Sequence, residues 1–228
     1  MESERKEPSG LSSDEISRIM FELCSRITHS QFLGVFAFDE LPRNALLSAS
    51  PTASSLNAAL RTPDTFSWIV NTDPASAPGQ HWLAFVKDQK TAPGQVEFFD
   101  SYGESPESYK FFIPPGVKIL RSHTTLQSLS TNVCGHYCIL FLYLRATLPP
   151  PKNSFLHIIA KLHTLASTPL SRDRYVKQLV ANLYHRAHGA QLKSPAPALS
   201  LLEHSLPIST HQTCCTFASH LFLLNHNQ

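Results

Sequence analysis

The stretch NVCGHYCILFLYLRA, residues 132–146, decides the fold. From Cys134 to about Ala146 it is apolar nearly all round, the mark of a helix buried on every side. Leu148 and the three prolines after it end the helix. Asn132 and Val133 precede it directly, so the Cys134 sulfur stands at or next to a helix N-terminus. Free backbone N–H groups and the helix dipole favour a thiolate there, and the same groups can bind a developing oxyanion. Gly135 lets a substrate approach closely. The plainer reading of any free cysteine is a small buried hydrophobe. Cys138, one turn further into the helix, takes that reading.

Upstream lie short strand-like runs: FSWIVNT at 66–72, HWLAFVKD at 81–88, QVEFFDS at 95–101 and VKILRS at 117–122. The turn-rich QKTAPG at 89–94 joins the second run to the third. If these two pair as an antiparallel hairpin, register symmetry puts His81 opposite Tyr102. Asp100 then faces Leu83, on the same face as His81. Diagonal neighbours in such a pair lie ~7–8 Å apart, within reach of a His–Asp hydrogen bond. The carboxylate would take the Nδ1 proton and leave Nε2 for the thiol. Gln127, seven positions before the cysteine, offers a neutral amide donor that would complete an oxyanion hole with the Cys134 N–H. A lone histidine or glutamine is more often packed or solvated; it is the convergence of the set that points to nucleophilic chemistry. Helices are expected over 14–27, 154–166 and 172–187. Ile16, Ile19, Met20, Leu23 and Ile27 share one face of the first, and Ser13 or Asp14 caps it.

Around this core the chain is ordinary in composition: 228 residues, 42% hydrophobic and 16% charged, which suits one domain. A net charge of +2 lacks the footprint of a dedicated nucleic-acid binder. The five cysteines are odd in number and fit no disulfide framework, which suits a reducing compartment. The polar start MESERKEPSG is unlike a signal peptide, and no run approaches the ~18 apolar residues of a membrane span. The expectation is an intracellular protein, nuclear or cytoplasmic, or one packaged in a virus-like particle, and not secreted. Residues 1–13 read as disordered, 14–188 as the folded domain and 189–228 as a tail of uncertain order. A zinc-binding module built from His204, His211, Cys214, Cys215 and His220 is a rival from another class, but the spacing matches no standard finger.

Taken together, Gln80-His81-Trp82, FFDSYG at 98–103 and QSLSTNVCGHYC at 127–138 resemble the adenovirus-type (adenain-like) cysteine proteases, in the superfamily of SUMO- and ubiquitin-like-protein proteases. The order His, acid, Cys is theirs. The segments 32–42 and 69–74 look like the branch carried by Maverick/Polinton transposons and adintovirus-like elements. The resemblance covers about residues 14–188. It implies an α+β, papain-like fold of the adenain type, with a small mixed sheet on a buried catalytic helix. It also implies Cys134 as nucleophile, His81 as base, Asp100 as third member of the triad, Gln127 as oxyanion donor and Trp82 beside the histidine. Asp100 stands where adenovirus enzymes have Glu, as in the SUMO-protease branch. The implied activity is a cysteine endopeptidase that cleaves glycine-containing sites in capsid-type or polyprotein precursors, as in virion maturation. The alternatives are a SUMO- or ubiquitin-like-protein isopeptidase and a non-catalytic binding module on a degenerate protease fold. No metal or cofactor is implied. Relatives in the viral branch use DNA and an activating peptide. Arg172, Arg174, Lys177 and Arg186 could form a basic helix face, although a solvated surface is the simpler reading.

Overall fold

The computed structural model describes residues 10–25, 27–40, 64–111 and 116–189, without the side chains of 186, 188 and 189. The tail beyond 189 and the histidines and cysteines of the rival zinc reading lie outside the described residues. Among the described residues no group of three or more metal-ligating side chains occurs, and no helix is long and apolar enough to cross a membrane.

Helix α1 spans Ser13–Cys24, and strands β1, β2, β3, β4 and β5 span Ser30–Phe36, Thr65–Asn71, Trp82–Asp88, Gln95–Phe99 and Lys118–Arg121. A short 3₁₀ turn, Pro106–Tyr109, precedes β5; α2 (Cys134–Thr147), α3 (Phe155–His163) and α4 (Pro169–Gly189) complete the fold. The strands form one mixed sheet in the order β1-β2-β3-β4-β5. Its outer pairs, β1–β2 and β4–β5, are parallel, and the two inner pairs are antiparallel.

Alternation along the strands builds two cores. Ile69, Ala84, Val86 and Phe99 face the helices, where Phe99 stacks on Phe141 of α2 with ring centroids 4.5 Å apart. Trp68, Val70, Leu83, Phe85, Val96 and Phe98 point to the opposite face and form a second cluster with Phe111. With both faces covered, β2 is buried at every position, which explains why it reads as a continuous apolar run. Helix α2 runs through the larger cluster; of its 14 residues only Tyr143 and Thr147 are not buried.

Several expected boundaries move. Helix α1 ends at Cys24, short of Ile27, with Ser25 as its C-cap. Its N-cap is Ser12, whose side chain and Glu15 form a reciprocal capping box. Residues 10–12, expected to belong to a disordered segment, are packed: a side chain at Gly10 would come within 2.7 Å of the Asn132 carbonyl oxygen. Helix α4 begins at Pro169, since proline at the first helical position forfeits no hydrogen bond. Strand β1 was not expected as a strand. Its pairing with β2 shifts register between Phe32 and Val35, where Gly34 takes φ +139°.

Candidate active site

The β3–β4 hairpin has the register expected from its turn, with Ala84 opposite Phe99 and Phe85 opposite Phe98. His81 lies one residue before β3, held in line by the Thr72 N–H donating to its carbonyl at 2.9 Å. Asp100 lies one residue after β4. The two side chains meet: His81 Nε2 donates to Asp100 Oδ1 at 2.6 Å, with both residues 6% exposed. This corrects the expected nitrogen. The ring bridges the diagonal of the hairpin with its distal nitrogen, and Nδ1 is left for the thiol. The Cys134 thiol is an electrostatic neighbour of this ring and acts with Asp100 to favour its protonated form. Burial works to lower the His81 pKa, but the hydrogen bonds and charges of Asp100 and Cys134 outweigh it and raise it to about 9.

Asp100 is an anchor in its own right. Oδ1 also accepts the Tyr102 N–H at 3.0 Å, and Oδ2 accepts the Glu104 N–H at 2.8 Å and the Tyr109 hydroxyl at 2.9 Å. The turn that wraps the carboxylate needs Gly103, which has φ +77° and where a side chain would come within 2.8 Å of the His123 backbone. Tyr102 and Tyr109 flank the imidazole, with ring centroids 4.7 Å and 5.7 Å from it.

At the head of α2 the N-cap is Val133, and no side chain caps the first turn. The first N–H groups of the helix are therefore not taken by a side-chain cap. His136, two residues on, does not reach this arrangement. Burial and the nearby Lys177 hold it neutral down to about 4. Cys138 is fully buried and its thiol donates to the Trp82 carbonyl at 3.3 Å, the core role expected of it. Burial pushes that thiol well above the ordinary range.

Gln127 is 1% exposed and tightly engaged. Its Oε1 accepts from the Ser101 hydroxyl at 2.8 Å, and its Nε2 donates to the Thr131 carbonyl at 2.7 Å and to the Tyr102 hydroxyl at 3.2 Å. The Ser101 carbonyl accepts both the Leu126 and the Gln127 N–H, so the acid turn and the Gln127 loop are fastened together. From behind, Asp173 of α4 accepts the Ser128 N–H at 3.0 Å, the Thr131 hydroxyl at 2.6 Å and the Tyr137 hydroxyl at 2.9 Å. Arg172 donates to the Leu126 carbonyl at 2.7 Å and is 3% exposed. It is thus a buried brace and no part of a basic surface, whereas Arg174 and Lys177 are exposed. The Arg186 side chain lies outside the described residues. Ser101 and Tyr102 sit inside FFDSYG, so their place beside the acid was legible. Asp173 gave no signal, because its partners are 36 to 45 positions away.

Cys134 lines a cleft of about 910 Å³ whose walls include Leu11, Ser12, Asn71, Gly79 and Trp82. The Trp82 indole N–H donates to the Leu11 carbonyl at 3.0 Å and fixes that wall. Gly135 is closely packed by protein. A side chain there would lie 3.0 Å from Ile16 and 3.3 Å from Trp82, so its small size admits neighbouring protein groups.

The chain is similar to viral cysteine proteases. A cysteine protease of African swine fever virus (a tick isolate from Malawi) is 32% identical over 114 residues, covering 45% of this chain and 40% of the relative. A protein named SUMO-1 cysteine protease from a Kenyan pig isolate of the same virus matches at the same identity and coverage. The chain spans about two fifths of the length of the curated relatives it matches. No family model matches it. The α+β architecture, a five-stranded mixed sheet packed on a buried helix, agrees with the papain-like cysteine protease fold expected from the sequence.

Proposed function

We propose that this protein is a cysteine endopeptidase in which Cys134 is the nucleophile, His81 the general base and acid, and Asp100 the group that holds the imidazole. One observation carries the reading: a buried His81–Asp100 hydrogen bond of 2.6 Å whose ring also meets a cysteine at the uncapped head of a buried helix, beside a cleft. In the resting site the raised His81 pKa favours an imidazolium beside the sulfur. The thiolate attacks the scissile carbonyl, and the Cys134 N–H, with the Gln127 amide in support, receives the charge that develops on oxygen. His81 gives its proton to the leaving amine, leaving a thioester on Cys134. Water, deprotonated by His81, then releases the acid.

The substrate class follows from chemistry and likeness. The cleft is lined by Trp82 and the 71–80 loop, and the family resemblance points to a peptide with glycine beside the cleaved bond. The likeness to viral cysteine proteases favours processing of precursor proteins of a virus-like element, in a cell or particle; the Maverick/Polinton branch rests on the resemblance of segments 32–42 and 69–74 alone. A second reading, cleavage after the Gly-Gly terminus of a SUMO-like protein, is favoured by the name of one relative, a SUMO-1 cysteine protease. DNA and an activating peptide remain part of the first reading only through its family resemblance.

The test is direct. The purified chain should react at Cys134 with a Gly-Gly electrophilic probe and hydrolyse a Gly-Gly peptide amide. Cys134→Ala should abolish turnover while leaving the thermal midpoint within a few degrees. Continued cleavage by that variant would remove the nucleophile assignment. SUMO fusions and Gly-rich precursor peptides run side by side separate the two substrate readings.

A further inference from the structure

Tyr102, whose ring lies on the base, carries a hydroxyl that the mechanism above does not use. Its ring stacks on the His81 imidazole with centroids 4.7 Å apart and planes 26° from parallel, so its position is tied to that of the base. Its hydroxyl oxygen accepts from Gln127 Nε2 at 3.2 Å. Its own proton meets no acceptor among the described residues. Tyr102 is only partly buried.

Gln127 makes this proton significant. A side-chain amide carries two N–H bonds. One of these is committed to the Thr131 carbonyl at 2.7 Å and the other to Tyr102. Asp173 and Arg172 clamp the loop that carries Thr131. An oxyanion drawing on Gln127 directly must break one of these bonds. One drawing on the tyrosine breaks neither, and the amide then strengthens the donor by polarising it.

We propose that the Tyr102 hydroxyl is a donor of the oxyanion hole, acting with the Cys134 N–H, and that Gln127 acts on the oxyanion through it. The inference rests on the cysteine-protease reading above. Burial and the negative charges of Cys134, Asp100 and Asp173 all raise the phenol's pKa, so it keeps its proton through the neutral range and can donate.

Tyr102→Phe keeps the ring and its stack and removes only the hydroxyl. The experiment compares wild type, Tyr102→Phe, Gln127→Ala and the double variant on a fluorogenic Gly-Gly peptide amide. It also measures their affinity for the matching Gly-Gly aldehyde and their rate of alkylation by iodoacetamide. Turnover of Tyr102→Phe should fall on the order of 10²-fold at unchanged KM, as for loss of one oxyanion donor. Affinity for the aldehyde, whose adduct carries the oxyanion, should fall with it. Alkylation, which forms no oxyanion, should stay at the wild-type rate. The double variant should be within a few-fold of the worse single one, because the two groups act in series. Tyr102→Phe turning over within twofold of wild type overturns the inference. So does an equal loss in alkylation and turnover, which would mean that the hydroxyl acts on the thiol–imidazole pair. Turnover that persists in Cys134→Ala overturns the protease reading instead.

Discussion

At one end of β3, β4 and α2 sit His81, Asp100 and Cys134; at the other end of the same three elements sit Asp88, Glu97 and Arg145. Both sets are buried and both come from one strand, its hairpin partner and the helix that crosses them. The far set is closed. Arg145 Nε donates to Glu97 at 3.0 Å and its Nη2 donates to Asp88 at 3.0 Å, so a permanent cation is matched by two carboxylates. Burial raises Glu97 in spite of the guanidinium. On Asp88 burial is outweighed by hydrogen bonds from Thr91 and Arg145, which hold it below its ordinary value. The near set is open. Its cation is an imidazole that can lose its proton, its acid is saturated with donors, and its cysteine lines a cleft. The same scaffold therefore carries a clamp at one end and chemistry at the other. What separates them is whether the cation can titrate and whether one member faces open space.

The sharpest break at the near end is Asp100→Asn. Rate should fall by about 10³–10⁴, since the amide no longer stabilises the imidazolium. The variant is less innocent for folding than an acid-to-amide change suggests. An NH₂ group now faces the Glu104 N–H and the Tyr109 hydroxyl or the imidazole, at a cost of about 1–3 kcal/mol. Urea denaturation beside single-turnover kinetics separates the two effects. An unchanged rate would leave Asp100 a structural anchor only.

At the far end the balance should invert. Arg145→Met leaves Asp88 and Glu97 buried without their cation and should cost about 3–5 kcal/mol of stability. Turnover at a temperature where the variant stays folded should hardly change. Adding Glu97→Leu and Asp88→Asn should recover most of the loss, because an apolar filling of similar volume has no charge to desolvate. A large drop in rate for folded Arg145→Met would show that the two ends are coupled through α2.

How much of this was legible from the residues depended on the range of the interaction. The all-apolar run after Cys134 announced its own burial, and the QKTAPG turn set the hairpin register that brings His81 to Asp100. Both are local signals. Strand β1 was missed because Gly34 breaks its alternation and its parallel partner lies 35 positions on, at Thr65. Arg172 read as surface because charge usually means exposure, yet three backbone carbonyls satisfy it. The choice of ring nitrogen depends on side-chain placement across the hairpin, which pairing alone does not set.

The smallest expected effect is a displacement of one limb of a pH profile, and it sharpens the contrast between a cation that titrates and one that does not. His81, raised to about 9, carries its proton through neutral pH and loses it only as pH climbs through that value. Amide hydrolysis needs this proton for the leaving amine, so kcat/KM should hold through neutrality and fall about tenfold per pH unit above 9. Alkylation of Cys134 by iodoacetamide needs only the thiolate and should persist over the same interval. Arg145 keeps its proton throughout, so the far end contributes no limb of its own. Weakening the Asp100 bond removes a main cause of the raised pKa, and in Asp100→Asn the alkaline limb should move toward the ordinary histidine value near 6.5. A wild-type limb already at 6.5 would mean that neither Asp100 nor the sulfur stabilises the imidazolium, and the near end would then differ from the far end in exposure alone.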